Sequence, residues 1–354
     1  MDMIIPEFLK KNDIIAVTAP SDGNSEDIDI IRLERAKDAL MSRGMRVIET
    51  PDVRKSLNGR SASAKLRAEE FLEAWNCDEV KAVISAKGGD FLMEMLSYLP
   101  FEKLAAKPKW FQGYSDNTSI GFILSTKYDI ASIYCNNFND FAMENWHESI
   151  RNNWDILCGR SVIQKSFDMY QDGFFKGETG TEGYDLTCPV RWDHINVSGS
   201  DNVSKAENEQ SAQDDLHMRG RLTGGCLDVI LNIVGTRFDN VKEYVKRYAD
   251  DGILWFFESF SLSSEDIERG LWQLKEAGWF ENASGFIFGR PAFFSTTTDT
   301  TFNEAVLNAL GSLGVPIITG ADTGHKPPQF TMVNGALCEL DYSNGAASMT
   351  LKIH

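Results

Sequence analysis

Several kinds of protein are ruled out by what this 354-residue chain does not contain. Its six cysteines, Cys77, Cys135, Cys158, Cys188, Cys226 and Cys338, form no CxxC pair and join no ladder of histidines. That excludes a zinc ribbon and a disulfide framework, and it predicts reduced thiols in a cytoplasmic setting. Neither a G-x-x-x-x-G-K-[ST] loop nor a dinucleotide fingerprint is present, so no cofactor and no metal are expected. No run approaches the ~20 apolar residues that span a bilayer. The start, "MDMIIPEFLKKNDIIAV", has no basic stretch followed by an uninterrupted apolar one, and the expectation is a soluble, unexported chain. Positive charge is also short, with 35 Lys and Arg against 52 Asp and Glu and a formal charge of -17. Such a field repels phosphate backbones and anionic lipid, so neither nucleic acid nor membrane is an expected partner.

What remains is the composition of a folded globule, 42% apolar and 25% charged, and a length that suits two domains. Strand-like and helix-like segments alternate over the first ~130 residues, the pattern of a doubly wound parallel sheet. "DIIAVTAP" reads as a strand, followed by a helix over "SEDIDIIRLERAKDALMSRG" with Ser25 as N-cap and Gly44 as its end. A strand over "MRVIET" follows. A second helix starts near Ser63, with Ala68, Phe71, Leu72 and Trp75 on one face, and "EVKAVISA" is the next strand. The segment 198 to 215 is polar, without apolar anchors, and reads as a loop or connection. Beyond it come a helix at about 225 to 235, a strand "GILWFF", a helix from Ser263 to Gly278, and strands at "GFIFGRP" and "VPIITG". The expected division is 1–165 for an N-terminal α/β domain, 166–215 for a connection and variable loop, and 216–354 for a C-terminal domain.

Chemistry concentrates in four places. In "WFQGYSDNTSIGF", Ser115 occupies a strand-to-helix turn at the carboxyl edge of a parallel sheet, where open α/β folds bind ligands. "GYSDN" matches only the first part of a G-x-S-x-G elbow, and Ser115 or Asp116 could equally cap the helix that follows. A nucleophilic serine needs a base, and five histidines are available: His147, His194, His217, His325 and His354. His354 ends the sequence and is expected to fray. His147, His194 and His217 sit in polar surroundings. His325 differs, in a Gly- and Pro-fixed loop "GADTGHKPPQF" just past an apolar strand, although a loop histidine also suits a solvated surface. Glu258 ends the strand "GILWFFES" and is the best candidate to orient such a base, with a plain capping carboxylate as the alternative. Adjacent Gly88 and Gly89 in "SAKGGDF" can offer backbone N–H groups to an oxyanion, form an ordinary turn, or bind phosphate.

These residues, taken with "IIAVTAPS", "RAEEFLEAWNCDEVKAVISAKGG", "GRLTGGCLDVILNIVGT", "IERGLWQLKEAGWF" and "TGHKPPQFTMVNGALCELD", resemble the LD-carboxypeptidases. This serine-peptidase family also includes the microcin C immunity peptidases. The resemblance covers nearly the whole chain in order. It implies Ser115 as nucleophile, Glu258 as orienting acid, His325 as general base, and an oxyanion hole from the "KGGD" turn at Gly88 or Gly89 and the N–H of Asp116. It further implies a class I glutamine amidotransferase-like N-terminal domain, a C-terminal mixed α/β domain, and a homodimer. The implied substrate is a murein tetrapeptide that loses its terminal D-residue, or an aminoacyl-nucleotide-like toxin cleaved at a carboxamide. "KGGDFLMEML" lacks the arginine and aromatic of the "RGGYG" form and looks closer to the immunity branch.

Overall fold

A computed structural model describes residues 2–174, 177–195 and 215–353. The expected loop at 198 to 215, except Asp215, and the expected fraying of His354 lie outside the described residues. In chain order the strands are β1 (Ile14–Thr18), β2 (Arg46–Glu49), β3 (Val80–Ser85), β4 (Trp110–Gln112), β5 (Ser132–Tyr134), β6 (Ile163–Lys165), β7 (Met169–Tyr170), β8 (Cys188–Pro189), β9 (Asp193–Ile195), β10 (Leu216–Cys226), β11 (Ile253–Glu258), β12 (Ala283–Gly289), β13 (Ile317–Ala321), β14 (Met332–Asn334), β15 (Leu337–Ser343) and β16 (Ala346–Lys352). The α-helices are α1 (Asp27–Ser42), α2 (Ala64–Asn76), α3 (Phe101–Ala105), α4 (Thr118–Tyr128), α5 (Glu148–Leu157), α6 (Leu227–Ile230), α7 (Val241–Arg247), α8 (Ser264–Glu276) and α9 (Phe302–Leu310).

Two sheets carry the molecule. The first runs β14-β5-β4-β3-β1-β2 and is parallel except at β14, which pairs antiparallel with β5. Strand β1 is apolar at nearly every position because both faces of this sheet are covered. Ile15 and Val17 pack with Leu33, Ala36 and Leu40 of α1, while Ile14 and Ala16 pack with Phe71 and Trp75 of α2. The second sheet runs β6-β16-β15-β10-β11-β12-β13-β9, with β10 to β13 parallel and the flanking strands antiparallel. Ile253, Trp255 and Phe257 of β11 bury against α7, α8 and α9, and Leu254 and Phe256 point to the opposite core.

The helix after the elbow joins the two layers. Thr118 to Thr126 are all buried, with Ile120, Ile123 and Leu124 in the first sheet's core and Phe122 stacked on Trp279 of the second (5.5 Å between centroids). Its buried hydroxyls are satisfied locally, Ser125 Oγ donating to the Ile130 carbonyl (2.9 Å) and Thr126 Oγ1 to the Phe122 carbonyl (2.7 Å).

Two expectations change. Helix α1 begins at Asp27 with Glu26 in the capping position and no side-chain cap, so Ser25 is not the N-cap; Asp27 and Asp29 sit in the first turn, where acids suit the helix dipole. The helix expected over 225 to 235 is the single turn of α6, because bonding then tightens to i→i−3 at Asn232, Ile233 and Thr236. Each sheet also takes a strand from the far part of the chain. β6, from the N-terminal side, lies on the edge of the second sheet, and β14 completes the first. By contrast Ser63 and Ser263 do cap α2 and α8, accepting from Leu66 N and Asp266 N. All six cysteines are free; Cys135, Cys226 and Cys338 are buried and Cys77 is exposed.

Candidate active site

Strand β4 delivers the chain to Ser115 in an unusual backbone state. Ser115 has φ +64°, a left-handed conformation that costs a non-glycine residue about 1–2 kcal/mol and persists only where the surroundings impose it. The surroundings here are specific. Asn117 Nδ2 donates to the carbonyls of Tyr114 (3.0 Å) and Lys87 (3.2 Å), and Thr118 Oγ1 donates to the Ser115 carbonyl (2.6 Å). Tyr114 N donates to Asn137 Oδ1 at 3.3 Å, and Ser115 N donates to the Tyr134 hydroxyl at 3.3 Å. Gly88, beyond β3, packs closely on the serine: a Cβ there would sit 3.1 Å from Ser115 Cβ and 3.2 Å from its Oγ. The glycine pair and the serine therefore meet at adjacent carboxyl ends of parallel strands.

The second sheet brings an acid and a histidine to its own carboxyl edge. Glu258 is the last residue of β11, and His325 lies four residues past the end of β13. His325 Nδ1 and Glu258 Oε2 are 2.9 Å apart, with both side chains almost fully buried. Gly324 makes the approach possible, since its φ is +101° and a Cβ would meet Glu258 Oε2 at 2.6 Å. Arg290 fixes the same loop, donating to the carbonyls of Gly320 (2.9 Å) and Lys326 (3.0 Å) and pairing with buried Asp322 at 2.9 Å. The imidazole is held between the rings of Tyr114 (5.1 Å) and Phe260 (4.7 Å).

Burial acts to raise the Glu258 carboxyl, but His325, the Tyr134 hydroxyl and the Cys226 thiol outweigh it and the acid stays below its ordinary range. Asp116, next to Ser115, goes the other way. Burial lifts it to about 6 against the hydrogen bonds it accepts from Ser21 Oγ (2.5 Å) and Leu92 N (2.8 Å). Ser115, Gly88, Gly89, Tyr114, Phe260 and His325 all line one cavity of about 320 Å³, whose polar end holds Lys87, Asp29, Arg32 and Asp140. Lys87 pairs with Asp29 at 2.8 Å and Arg32 with Asp140 at 2.8 Å. A smaller space of about 150 Å³ continues past Ser115, Asp116 and Gly89. A larger depression of about 640 Å³, along Lys165, His217 and Asp341, shares no residue with either. Among the described residues no group of three or more His, Cys, Asp or Glu could hold a metal, and no helix is long and apolar enough to cross a membrane.

Two family models match the chain, the LD-carboxypeptidase N-terminal domain over residues 15–135 and the LD-carboxypeptidase C-terminal domain over residues 219–340. The chain belongs to the LD-carboxypeptidase family. It is similar to a provisionally named carboxypeptidase of Vibrio cholerae, 26% identical over 88% of each chain. It is also similar to the microcin C7 self-immunity protein MccF of Escherichia coli, 23% identical over 90% of this chain and 88% of that one. Among solved structures, MccF in complex with aspartyl sulfamoyl adenosine superposes with a TM-score of 0.78 at 20% identity, covering 99% of both chains. The muramoyltetrapeptide carboxypeptidase of Oxalobacter formigenes gives 0.70 at 22% identity over 96% of this chain and 98% of that one. The mixed α/β architecture with parallel-strand sheets is thus the fold these LD-carboxypeptidase-like structures share.

Some of the residues singled out in the sequence lie together in the structure and others do not. Ser115, Gly88, Gly89 and His325 share the main cavity, Glu258 is tied to His325, and Asp116 lines the adjoining space. His217 pairs with Asp341 at an exposed position and His147 caps α5, so neither enters the site. The sequence reading missed Tyr134, Arg290 and Asn117. Tyr134 ends the short strand β5, and nothing in local spacing marks its hydroxyl as bonded to Glu258 124 positions away.

Proposed function

We propose that this LD-carboxypeptidase family member is a serine-type peptidase that hydrolyses an amide bond through Ser115, His325 and Glu258. The observation carrying this reading is that Ser115, held at φ +64°, lines the same cavity as a histidine whose other nitrogen is 2.9 Å from a buried carboxylate. In the reaction His325 Nε2 takes the Ser115 proton as Oγ attacks the carbonyl, and the amides of the Gly88–Gly89 turn and Asp116 receive the developing oxyanion. His325 then protonates the leaving amine, and water resolves the acyl-enzyme by the same path in reverse. Glu258 keeps the Nδ1 proton in place and balances the imidazolium.

The substrate proposed first is a murein tetrapeptide that loses its terminal D-amino acid. A second reading, an aminoacyl-nucleotide-like compound cleaved at a carboxamide, is favoured by an aromatic surface beside His325. Phe174, Phe260 and Phe293 have ring centroids 5.2 to 6.0 Å apart, and Phe174 and Phe293 are about half exposed. That surface suits a planar group.

Mass spectrometry of products from a murein tetrapeptide and from an aminoacyl sulfamoyl adenylate, run side by side, separates the two. Ser115→Ala is expected to lower turnover by several orders of magnitude while leaving the thermal midpoint within a few degrees. Undiminished turnover in that variant would remove Ser115 from the reaction. Tight binding of an intact compound by the unaltered protein would point instead to sequestration without hydrolysis.

A further inference from the structure

A second connection between serine and acid bypasses the imidazole. The Tyr134 hydroxyl donates to Glu258 Oε1 at 2.5 Å and accepts the Ser115 N–H at 3.3 Å. Its single proton is committed to the carboxylate, so a lone pair is left for the amide. The ring is 2% exposed and is held by one residue from each sheet, Phe256 of β11 (5.5 Å) and Tyr114 after β4 (6.2 Å). The groups facing the Glu258 carboxyl are His325 at Oε2, Tyr134 at Oε1 and the Cys226 thiol alongside. Burial first, and the neighbouring carboxylate second, raise the Tyr134 phenol well above its ordinary range, so it remains a donor.

We propose that Tyr134 is a positioning residue of the hydrolytic site, its hydroxyl locking the Glu258 carboxylate in the rotation that presents Oε2 to His325 while engaging the Ser115 amide. This rests on the peptidase reading given above. Two consequences follow from the geometry. Without the hydroxyl, Oε1 is left buried with one donor fewer, and the carboxylate is freer to turn away from Nδ1. The Ser115 amide also loses its acceptor and can compete with the Gly88–Gly89 and Asp116 amides for the substrate oxygen, misplacing it.

Tyr134→Phe removes only the oxygen. Losing one hydrogen bond to a charged group corresponds to about a 10- to 100-fold effect. The expected result is a fall of that size in kcat with KM changed less than about threefold, and an acidic limb of the pH profile moved to higher pH, because a carboxylate short of a donor takes up its proton earlier. A substrate-free measurement accompanies it: the downfield proton resonance of the His325 Nδ1–H is expected to shift in Tyr134→Phe. Wild-type kcat with an unmoved resonance overturns the proposal. So does a lost kcat with an unmoved resonance, which would leave the ring with a packing role alone. If the unaltered protein hydrolyses nothing, the peptidase reading fails, and the resonance still decides whether Tyr134 positions Glu258. Should Tyr134→Phe not fold, 3,5-difluorotyrosine at position 134 keeps ring and hydroxyl while strengthening the donor. The resonance is then expected to move, and an unmoved one counts against the proposal.

Discussion

At the scale of single residues, the two acids of the site are set apart by what surrounds them. Glu258 is buried beside a histidine and a phenol and stays ionised; Asp116 is buried beside a hydroxyl and one amide and titrates at about 6. The sign of the stability effect differs accordingly. A carboxyl raised to about 6 from its ordinary 3.8 favours the fold most below pH ~4, and that contribution is lost as pH rises through about 6. The two values differ by an amount worth about 3 kcal/mol. Asp116→Asn cannot ionise, so its thermal midpoint relative to the unaltered protein is expected to rise between pH 4.5 and 7. A constant difference across that range, read by calorimetry, would mean that Asp116 does not titrate there. The lowered Glu258 works oppositely: its contribution is present above the ordinary carboxyl range and lost as pH falls through its depressed value.

Secondary-structure elements divide into those that hold the site and those that hold the fold. Helix α8 belongs to the second group. Its Ile267, Leu271 and Leu274 are fully buried at helical spacing, and its charged residues face outward. Leu271→Ala is expected to cost about 2–5 kcal/mol by deleting buried methyls, while kcat stays within twofold. A kcat loss at full occupancy of the folded state would show that α8 reaches into the site. This same periodicity is why α2 and α8, with their serine caps, were legible in the sequence. Strands β1, β3, β11, β12 and β13 were legible as short β-branched and aromatic runs. The elbow serine, the paired glycines, Glu258 and His325 stood out at or just past strand ends, but each also suited a cap, a turn or a solvated loop, and it was the resemblance to a family over the whole chain that singled them out together. Tyr134 and Arg290 did not stand out, since a hydroxyl or guanidinium acting through a distant partner has no signature in its own neighbourhood. Helix α6 was overcalled because apolar Leu227, Ile230 and Ile233 recur at helical spacing in a tight turn that buries them equally well.

For the whole molecule, the two sheets are interlocked through their edges. Strand β14 pairs with β5 through Met332 to Tyr134 and Asn334 to Ser132, and the next strand, β15, already belongs to the second sheet. Truncation after Thr331 leaves Ser115, Glu258 and His325 in the chain but removes β14, β15 and β16. That loss exposes the β5 edge and strips a flank from β10, and the expected product is aggregated and inactive. A soluble, fully active truncation product, judged by gel filtration and turnover, would contradict this view of the fold.

The interlock also has a bearing on synthesis. Residues 132–134 emerge about 200 positions before residues 332–334 that cover them, which at 5–20 residues per second is a delay of roughly 10–40 s. Throughout that interval the edge beside Ser115 is open, and His325 arrives only seven residues ahead of the strand that closes it. The nascent chain thus carries Ser115 without His325 for most of that interval, so a copy made only that far can neither assemble the proposed site nor finish its first sheet, and a holdase would have its reason to bind there.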